Sequence, residues 1–248
     1  MKQIAKTDLC WRDMLLSGEF LRDSGVSRAD VSEEPLLCGR RTSMRVLRLT
    51  GGASLTLDSL PAERFIYVVW GEVSISDGRV SENLRHGDAL AAPPKLMLRG
   101  GSDGCLLLVG EPAVAQGRPP VSFAGDQWRE ITPGFARRVL LSSAGSTLVL
   151  FRVEKEAVLP LHCHHQEQMG FMLSGNINLA VGSDSKMLSP YDNYLLPSMV
   201  PHAAEAVTLA YALDLFCPER DDYLPPEARS WAPKSPADWV LVRHSDDR

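Results

Sequence analysis

The chain has 248 residues, 44% of them apolar, and carries 31 acidic against 26 basic side chains for a net charge of −5. That is enough apolar matter for a sizeable core in one large domain or two ordinary ones. The acidic balance and the lack of a basic cluster argue against nucleic acid and against an anionic membrane surface. No apolar run approaches the ~20 residues that a bilayer-spanning helix needs.

The opening residues, MKQIAKTDLCWRDML, hold early acidic residues and no long apolar core, so no secretory signal is expected there. The five cysteines, Cys10, Cys38, Cys105, Cys163 and Cys217, are odd in number and scattered. Reduced thiols in a cytoplasmic protein fit them better than a disulfide framework. Residues 7–25 mix apolar and charged side chains around Gly18 and read as an irregular lead-in over one end of a barrel.

From about Thr42 the pattern turns to strands. MRVLRL, SLTLDSL, RFIYVVWGEVSIS, DALAAPPKLML and CLLLVG are short apolar or alternating runs separated by Gly, Asp, Ser and Pro. Such spacing predicts an all-β sandwich or barrel. A repeat is visible in the letters. Adding 104 carries Arg48 onto Arg152, Leu55 onto Leu159, Leu57 onto Leu161, Gly71 onto Gly175, Asp88 onto Asp192 and Pro93 onto Pro197. Two tandem copies of one barrel follow, divided as residues 1–118 and 119–248, with Gln116–Pro120 as the connection.

The second copy holds the chemistry. Within PLHCHHQEQMGFMLSG, residues 160–175, an extended strand would put His162 and His164 on one face. Gln168 follows four residues later, and Gly175 stands where a hairpin must turn. Downstream, Asp192 to His202 ends in Pro197-Ser-Met-Val-Pro201-His202. A lone strand histidine is ordinarily just a hydrogen-bonded polar residue, but four of the six histidines lie in these two stretches. Three imidazoles and an amide make a mixed nitrogen and oxygen site for one divalent transition metal, whether Fe, Zn, Ni, Mn or Co. Alternation aims Cys163 away from it, as a small packing residue, and leaves His165 at the surface or behind the ligands. His86 and His244 read as turn and surface residues.

These residues resemble the cupin superfamily, whose first motif is H-x-H, three or four residues, Glu or Gln, six residues, Gly, and whose second ends P-x-G-x-x-H. The resemblance implies two jelly-roll barrels and makes His162, His164, Gln168 and His202 the metal ligands. Met199 replaces the second motif's glycine, which alters loop shape and not ligation. In the first copy the ligand positions are Asp58, Leu60, Arg64 and Leu98, so the N-terminal barrel is expected to be degenerate and metal-free. An ion pair is the expected use of Asp58 and Arg64.

The strand Val207–Phe216 puts bulky Leu209, Tyr211, Leu213 and Leu215 on one face and Ala210, Ala212, Asp214 and Phe216 on the other, which reads as a cavity wall. LDLFCPERDDYL, residues 213–224, is similar to the end of the cupin that opens the ring of unsaturated uronic acids. That resemblance implies roles in activity for Asp214, Phe216 and Arg220, with Tyr223 as a further substrate contact. In this reading Asp214 moves a proton, and Arg220 binds a substrate carboxylate through its planar fork. The plain alternative pairs Asp214 with Arg220 and leaves Phe216 to the core. The proline-rich tail from Leu224, with Trp231 and Trp239, is expected to wrap on a barrel or to reach a partner subunit in a homodimer.

Three functions remain open. The first is a metal-dependent isomerase, lyase or cyclase acting on a small carboxylate-bearing carbonyl compound. It also suits a second resemblance, to the double-cupin isomerase of bacilysin biosynthesis. The second is an iron(II) dioxygenase. The third is a metal- or small-molecule-binding module without catalysis, which the absence of a DNA-binding element ranks last.

Overall fold

The computed structural model describes residues 30–57, 64–93, 95–112, 120–123, 127–224 and 240–243. The lead-in, Asp58, Leu60, most of the Gln116–Pro120 connection, Trp231, Trp239 and His244 lie outside them. The described residues are strands joined by turns, with one 3-10 turn at Asp221–Tyr223. None of their helices is long and apolar enough to cross a membrane.

The first repeat supplies β1 (Val31–Cys38), β2 (Thr42–Leu49), β3 (Ser54–Leu57), β4 (Phe65–Ser76), β5 (Ser81–Arg85), β6 (Ala89–Ala91) and β7 (Leu96–Pro112). The short β8 (Val121–Ser122) and β9 (Arg129–Thr132) precede the second repeat. That repeat runs β10 (Phe135–Ser142), β11 (Thr147–Val153), β12 (Val158–His162), β13 (Glu167–Ser174), β14 (Ile177–Val181), β15 (Asp184–Leu188), β16 (Asn193–Leu196), β17 (His202–Ala206) and β18 (Ala210–Cys217). The last described strand is β19 (Val240–Val242).

Contacts divide the described chain into two compact units. One comprises Gln127–Arg138 and Val149–Phe216; the other comprises the described parts of Ala29–Asp126, Val139–Leu148 and Cys217–Arg248. In the latter, β4 and β7 are long strands paired along most of their length, and the sheet order is β1-β2-β7-β4-β6-β19, with β3 on β7 and β5 on β4. Its core gathers Leu47, Ile66, Val68, Leu90, Leu98, Leu107 and their neighbours. In the second repeat the corresponding strands are broken in two, giving a sheet β16-β13-β18-β11-β10 and a four-stranded sheet β12-β17-β14-β15. This is the jelly-roll plan, twice.

The offset of 104 holds in three dimensions. It carries β1 onto β10 and β2 onto β11, and β4 onto β13 plus β14. Asp88 Oδ2 accepts the Arg85 N–H at 3.0 Å, and Asp192 Oδ2 accepts the Ser189 N–H at 2.8 Å, in equivalent turns. Gly71 and Gly175 both sit at positive φ, where a Cβ would lie 2.2 Å from a backbone carbonyl oxygen. Elsewhere the backbone survives a change of residue. Gly52 and Gly87 at positive φ become Glu156 (φ 67°) and Tyr191 (φ 71°).

The sequence reading misses β1. VSEEPLLC is an edge strand, largely exposed on both faces and bulged at Pro35, so it carries neither alternation nor an apolar run. The strand predicted over Val207–Phe216 begins instead at Ala210. Arg64 pairs with Glu111 at 2.9 Å, and Leu98 lies in the apolar core. His86 sits in a turn and its Nδ1–H donates to the Val69 carbonyl. The tail's described strand, β19, pairs with β6, and Arg243 beside it bonds Asp88 and Glu82.

Candidate metal centre

The centre is assembled at the mouth of the four-stranded sheet. The β12–β17 ladder sets His162 directly opposite His202, and the two ring centroids lie 4.3 Å apart. The expected strand through both first-motif histidines stops at His162, and His164 stands in the turn that leads to β13. Its ring nevertheless comes within 4.9 Å of His202 and 5.9 Å of His162. Because the strand ends there, Cys163 is exposed and not a packing residue, which corrects the alternation argument. His165 is exposed as expected, and its carbonyl accepts the Ser198 hydroxyl at 2.7 Å.

The second motif's loop is tied to the first. The Met199 N–H donates to the His164 carbonyl at 2.8 Å, with Met199 in the left-handed region at φ 64°. The glycine conformation of the motif is therefore kept without the glycine.

Each imidazole is held by its Nδ1. That atom lies 2.8 Å from the Pro160 carbonyl in His162, 3.0 Å from the Gln166 carbonyl in His164 and 2.9 Å from the Val200 carbonyl in His202. A carbonyl only accepts, so all three Nδ1 atoms carry the proton, and Nε2 is the atom through which each ring could ligate a metal. The three histidines offer ligand atoms within 4.8 Å of one another.

Gln168, buried on β13, completes the set. Its amide N–H2 donates to Asp214 Oδ2, which fixes the amide so that Oε1 faces His164 Nε2 at 3.0 Å. With Nδ1 protonated, a neutral His164 ring turns a lone pair toward Oε1, so a cation, either a proton or a metal ion, is needed between the two atoms. The donor chemistry therefore fits a divalent metal ion held by His162, His164, His202 and Gln168 Oε1.

Asp214 lies behind the amide on β18, fully buried. The Tyr194 hydroxyl spans both of its oxygens at 2.8 Å. Burial pushes the Asp214 carboxyl up to about 7, against the hydrogen bonds from Tyr194 and Gln168, which lower it. Burial and the neighbouring Asp214 raise the Tyr194 phenol well above its ordinary value, so it stays a neutral donor. Phe216, on the same strand, meets His164 edge-on at 5.6 Å between ring centroids and continues into Phe151 and Phe135. Of the predicted bulky face, Leu213 and Leu215 are buried and Tyr211 meets Trp128 edge-on, while Leu209, ahead of the strand, is exposed.

Arg220 and Tyr223 fall in the other compact unit. The Arg220 guanidinium donates to Asp222 through Nε at 2.9 Å and Nη2 at 2.8 Å, and it stacks on the Tyr223 ring at 3.9 Å. Asp214 bonds Tyr194 and Gln168; Phe216 is buried, as the plain alternative has it. Tyr194 escapes the sequence reading, because a tyrosine in an apolar strand reads as core. Gly170, in the middle of β13, is the signal that could have found it.

Fold and donor set together make a candidate metal centre on a jelly-roll barrel. Residues 149–216, which carry all four candidate ligands, match the family model for the Cupin domain. Among solved structures, the chain is similar to AerE from Microcystis aeruginosa, with TM-score 0.67 and 17% identity over 79% of this chain and 95% of that one. It is also similar to a cupin 2 conserved barrel domain protein from Leptotrichia buccalis, with TM-score 0.59 and 18% identity over 81% and 95% of the two chains. A variant of salicylate 1,2-dioxygenase from Pseudoaminobacter salicylatoxidans aligns with TM-score 0.64 and 14% identity over 84% and 81%. These identities speak to the fold. No curated protein matches.

Proposed function

We propose that the chain is a metal-dependent isomerase, lyase or cyclase acting on a small carboxylate-bearing carbonyl compound or sugar acid, with Asp214 as the proton carrier. The observation that carries this reading is the buried Asp214 carboxyl, bonded to the one ligand that is an amide. A divalent ion at the three imidazoles would supply Lewis-acid polarisation of a carbonyl or enol oxygen. Gln168 adds an oxygen donor without adding charge, which suits an electrophilic centre. Burial brings the Asp214 carboxyl to about 7, where it can be present with or without its proton, as transfer between carbon and oxygen requires. Phe216 closes one side of His164 against water. The resemblance of residues 213–224 to the uronate ring-opening cupin supports the same reading.

An iron(II) dioxygenase uses a similar donor set and is the competing reading. Elemental analysis, with oxygen uptake followed on a panel of carboxylic-acid carbonyl compounds, separates the two. The expected result is close to one metal per chain, turnover without oxygen consumption, and loss of that turnover in Asp214→Asn at metal concentrations that saturate the site. Iron together with oxygen uptake would establish the dioxygenase instead. A chain that binds no metal would be left as a non-catalytic module.

A further inference from the structure

Tyr194 reaches Asp214 by an unusual route. In the sheet order β16-β13-β18, the tyrosine is on β16 and the aspartate on β18, with β13 between them. Tyr194 pairs in register with Gly170, and directly paired residues of an antiparallel ladder point to the same face. A Cβ on Gly170 would lie 2.0 Å from Tyr194 Cζ and 2.4 Å from its hydroxyl oxygen. The phenol therefore lies in the space left by the missing side chain, crosses β13, and delivers its hydroxyl to both Asp214 oxygens. Gln168, two residues before Gly170 and on the same face, is the next link, and its Oε1 ends the chain at His164.

The other repeat shows what this arrangement is for. The offset of 104 places Ile66 at Gly170, Leu90 at Tyr194, Gly110 at Asp214 and Arg64 at Gln168. Ile66 and Leu90 pair in the same register and are wholly buried in an apolar core. So the barrel that lacks the histidine ligands also lacks the slot, the phenol and the carboxylate. One backbone is satisfied by either set. The glycine–tyrosine–aspartate chain is thus not demanded by the fold; it goes with the metal ligands.

We propose that Tyr194 is a positioning residue of the metal centre. Seated in the Gly170 slot, it orients Asp214, which holds the Gln168 amide with its oxygen toward the ion. This rests on the metal-centre reading above. Loosening it frees the amide to rotate, turning N–H2 to the ion in place of oxygen, and the loss of such an outer partner costs roughly 10- to 100-fold in metal affinity.

The test uses the whole chain loaded with Co(II), whose visible absorption reports ligand number and geometry, with affinity read by chelator competition. Tyr194→Phe keeps the ring in its slot and removes only the hydroxyl. The expected result is binding weaker by about 10-fold or more together with a changed Co(II) spectrum. Leu179→Ala, a buried apolar truncation on β14, serves as the control for lost stability and should leave spectrum and affinity unchanged. If Tyr194→Phe lowers the unfolding temperature while its spectrum and affinity match those of the parent, Tyr194 is merely structural and the proposal fails. It fails equally if Leu179→Ala alters the spectrum as much. If the parent chain itself takes up no Co(II), or His202→Ala binds as well as the parent, the metal-centre reading falls too, which distinguishes the two failures.

Discussion

His162 and His202 are direct cross-strand partners, each anchored through Nδ1 to the carbonyl two residues before it. The backbone presents both Nε2 atoms before any ion arrives, so the centre is preorganised by the ladder and its loops. Replacing either histidine by alanine should remove a ligand, at a half-buried position for His162 and a buried one for His202. Metal affinity is expected to fall by more than about 10-fold, and metal-free His162→Ala should change in stability by no more than about 1 kcal/mol. Metal content after dialysis and urea denaturation of the stripped protein check the two halves. Full metal content in either variant would refute the ligand assignment.

A second prediction concerns pH. In the metal-stripped protein Asp214 titrates at about 7, against an ordinary 3.8. The folded state thus holds the proton more tightly than the unfolded state. Stability from this group is fully present below about pH 4, declines as pH rises, and levels off above about pH 7. Asp214→Asn removes that dependence, so the variant should gain on the parent between about pH 4 and 8, by a few kcal/mol at most given about 1.4 kcal/mol per pH unit. Denaturation curves for both proteins in chelator across this range decide it. A constant difference would mean that the carboxyl titrates alike folded and unfolded.

Much of this was legible in the letters because two signals are strong. Strands with one buried face alternate or run apolar, and a duplicated barrel repeats its turn residues, such as Asp88 with Asp192 and Gly71 with Gly175, at one fixed offset. Motif spacing singled out His162, His164, Gln168 and His202, and the structure brings them together. What escaped depends on register and exposure. β1 is an exposed edge carrying Glu33, Glu34 and Pro35, so it shows no period. Cys163 was misplaced because period-two reasoning fails once a strand ends, here at His162. Tyr194 and Gly170 are 24 apart in sequence, and only the β13–β16 pairing makes them neighbours.

That pairing gives a third prediction. Gly170→Ala puts a methyl into the Tyr194 ring, which is itself 7% exposed and has little room to retreat. Overpacking of this kind costs about 1–3 kcal/mol. In a Tyr194→Leu background the ring no longer fills the slot and the same methyl should cost much less, since the Ile66–Leu90 pair of the other repeat carries a side chain at this place. A double-mutant cycle read by urea denaturation should therefore give a coupling of about 1 kcal/mol or more. Additive effects would show that the ring is not seated over Gly170.

The last prediction comes from backbone strain. Glu156 and Met199 occupy the left-handed region at φ 67° and 64°, where a residue with a Cβ is disfavoured by about 1–2 kcal/mol. Both side chains are exposed, so replacing them forfeits little packing. The Glu156–Lys155 ion pair at 3.4 Å is a surface contact and offsets little of the strain. Gly52 fills the place of Glu156 in the other repeat, which shows that the turn accepts glycine. Against the relief stands the larger entropy a glycine loses on folding. Glu156→Gly and Met199→Gly are each expected to stabilise the protein by up to about 1 kcal/mol. Alanine at the same positions retains its Cβ and should give no gain. Thermal and urea unfolding of the four variants tests this, and equal gains from alanine and glycine would trace the effect to the side chains and not to φ. Metal affinity should hold in Met199→Gly, since its contribution to the centre is a backbone N–H to the His164 carbonyl that glycine keeps.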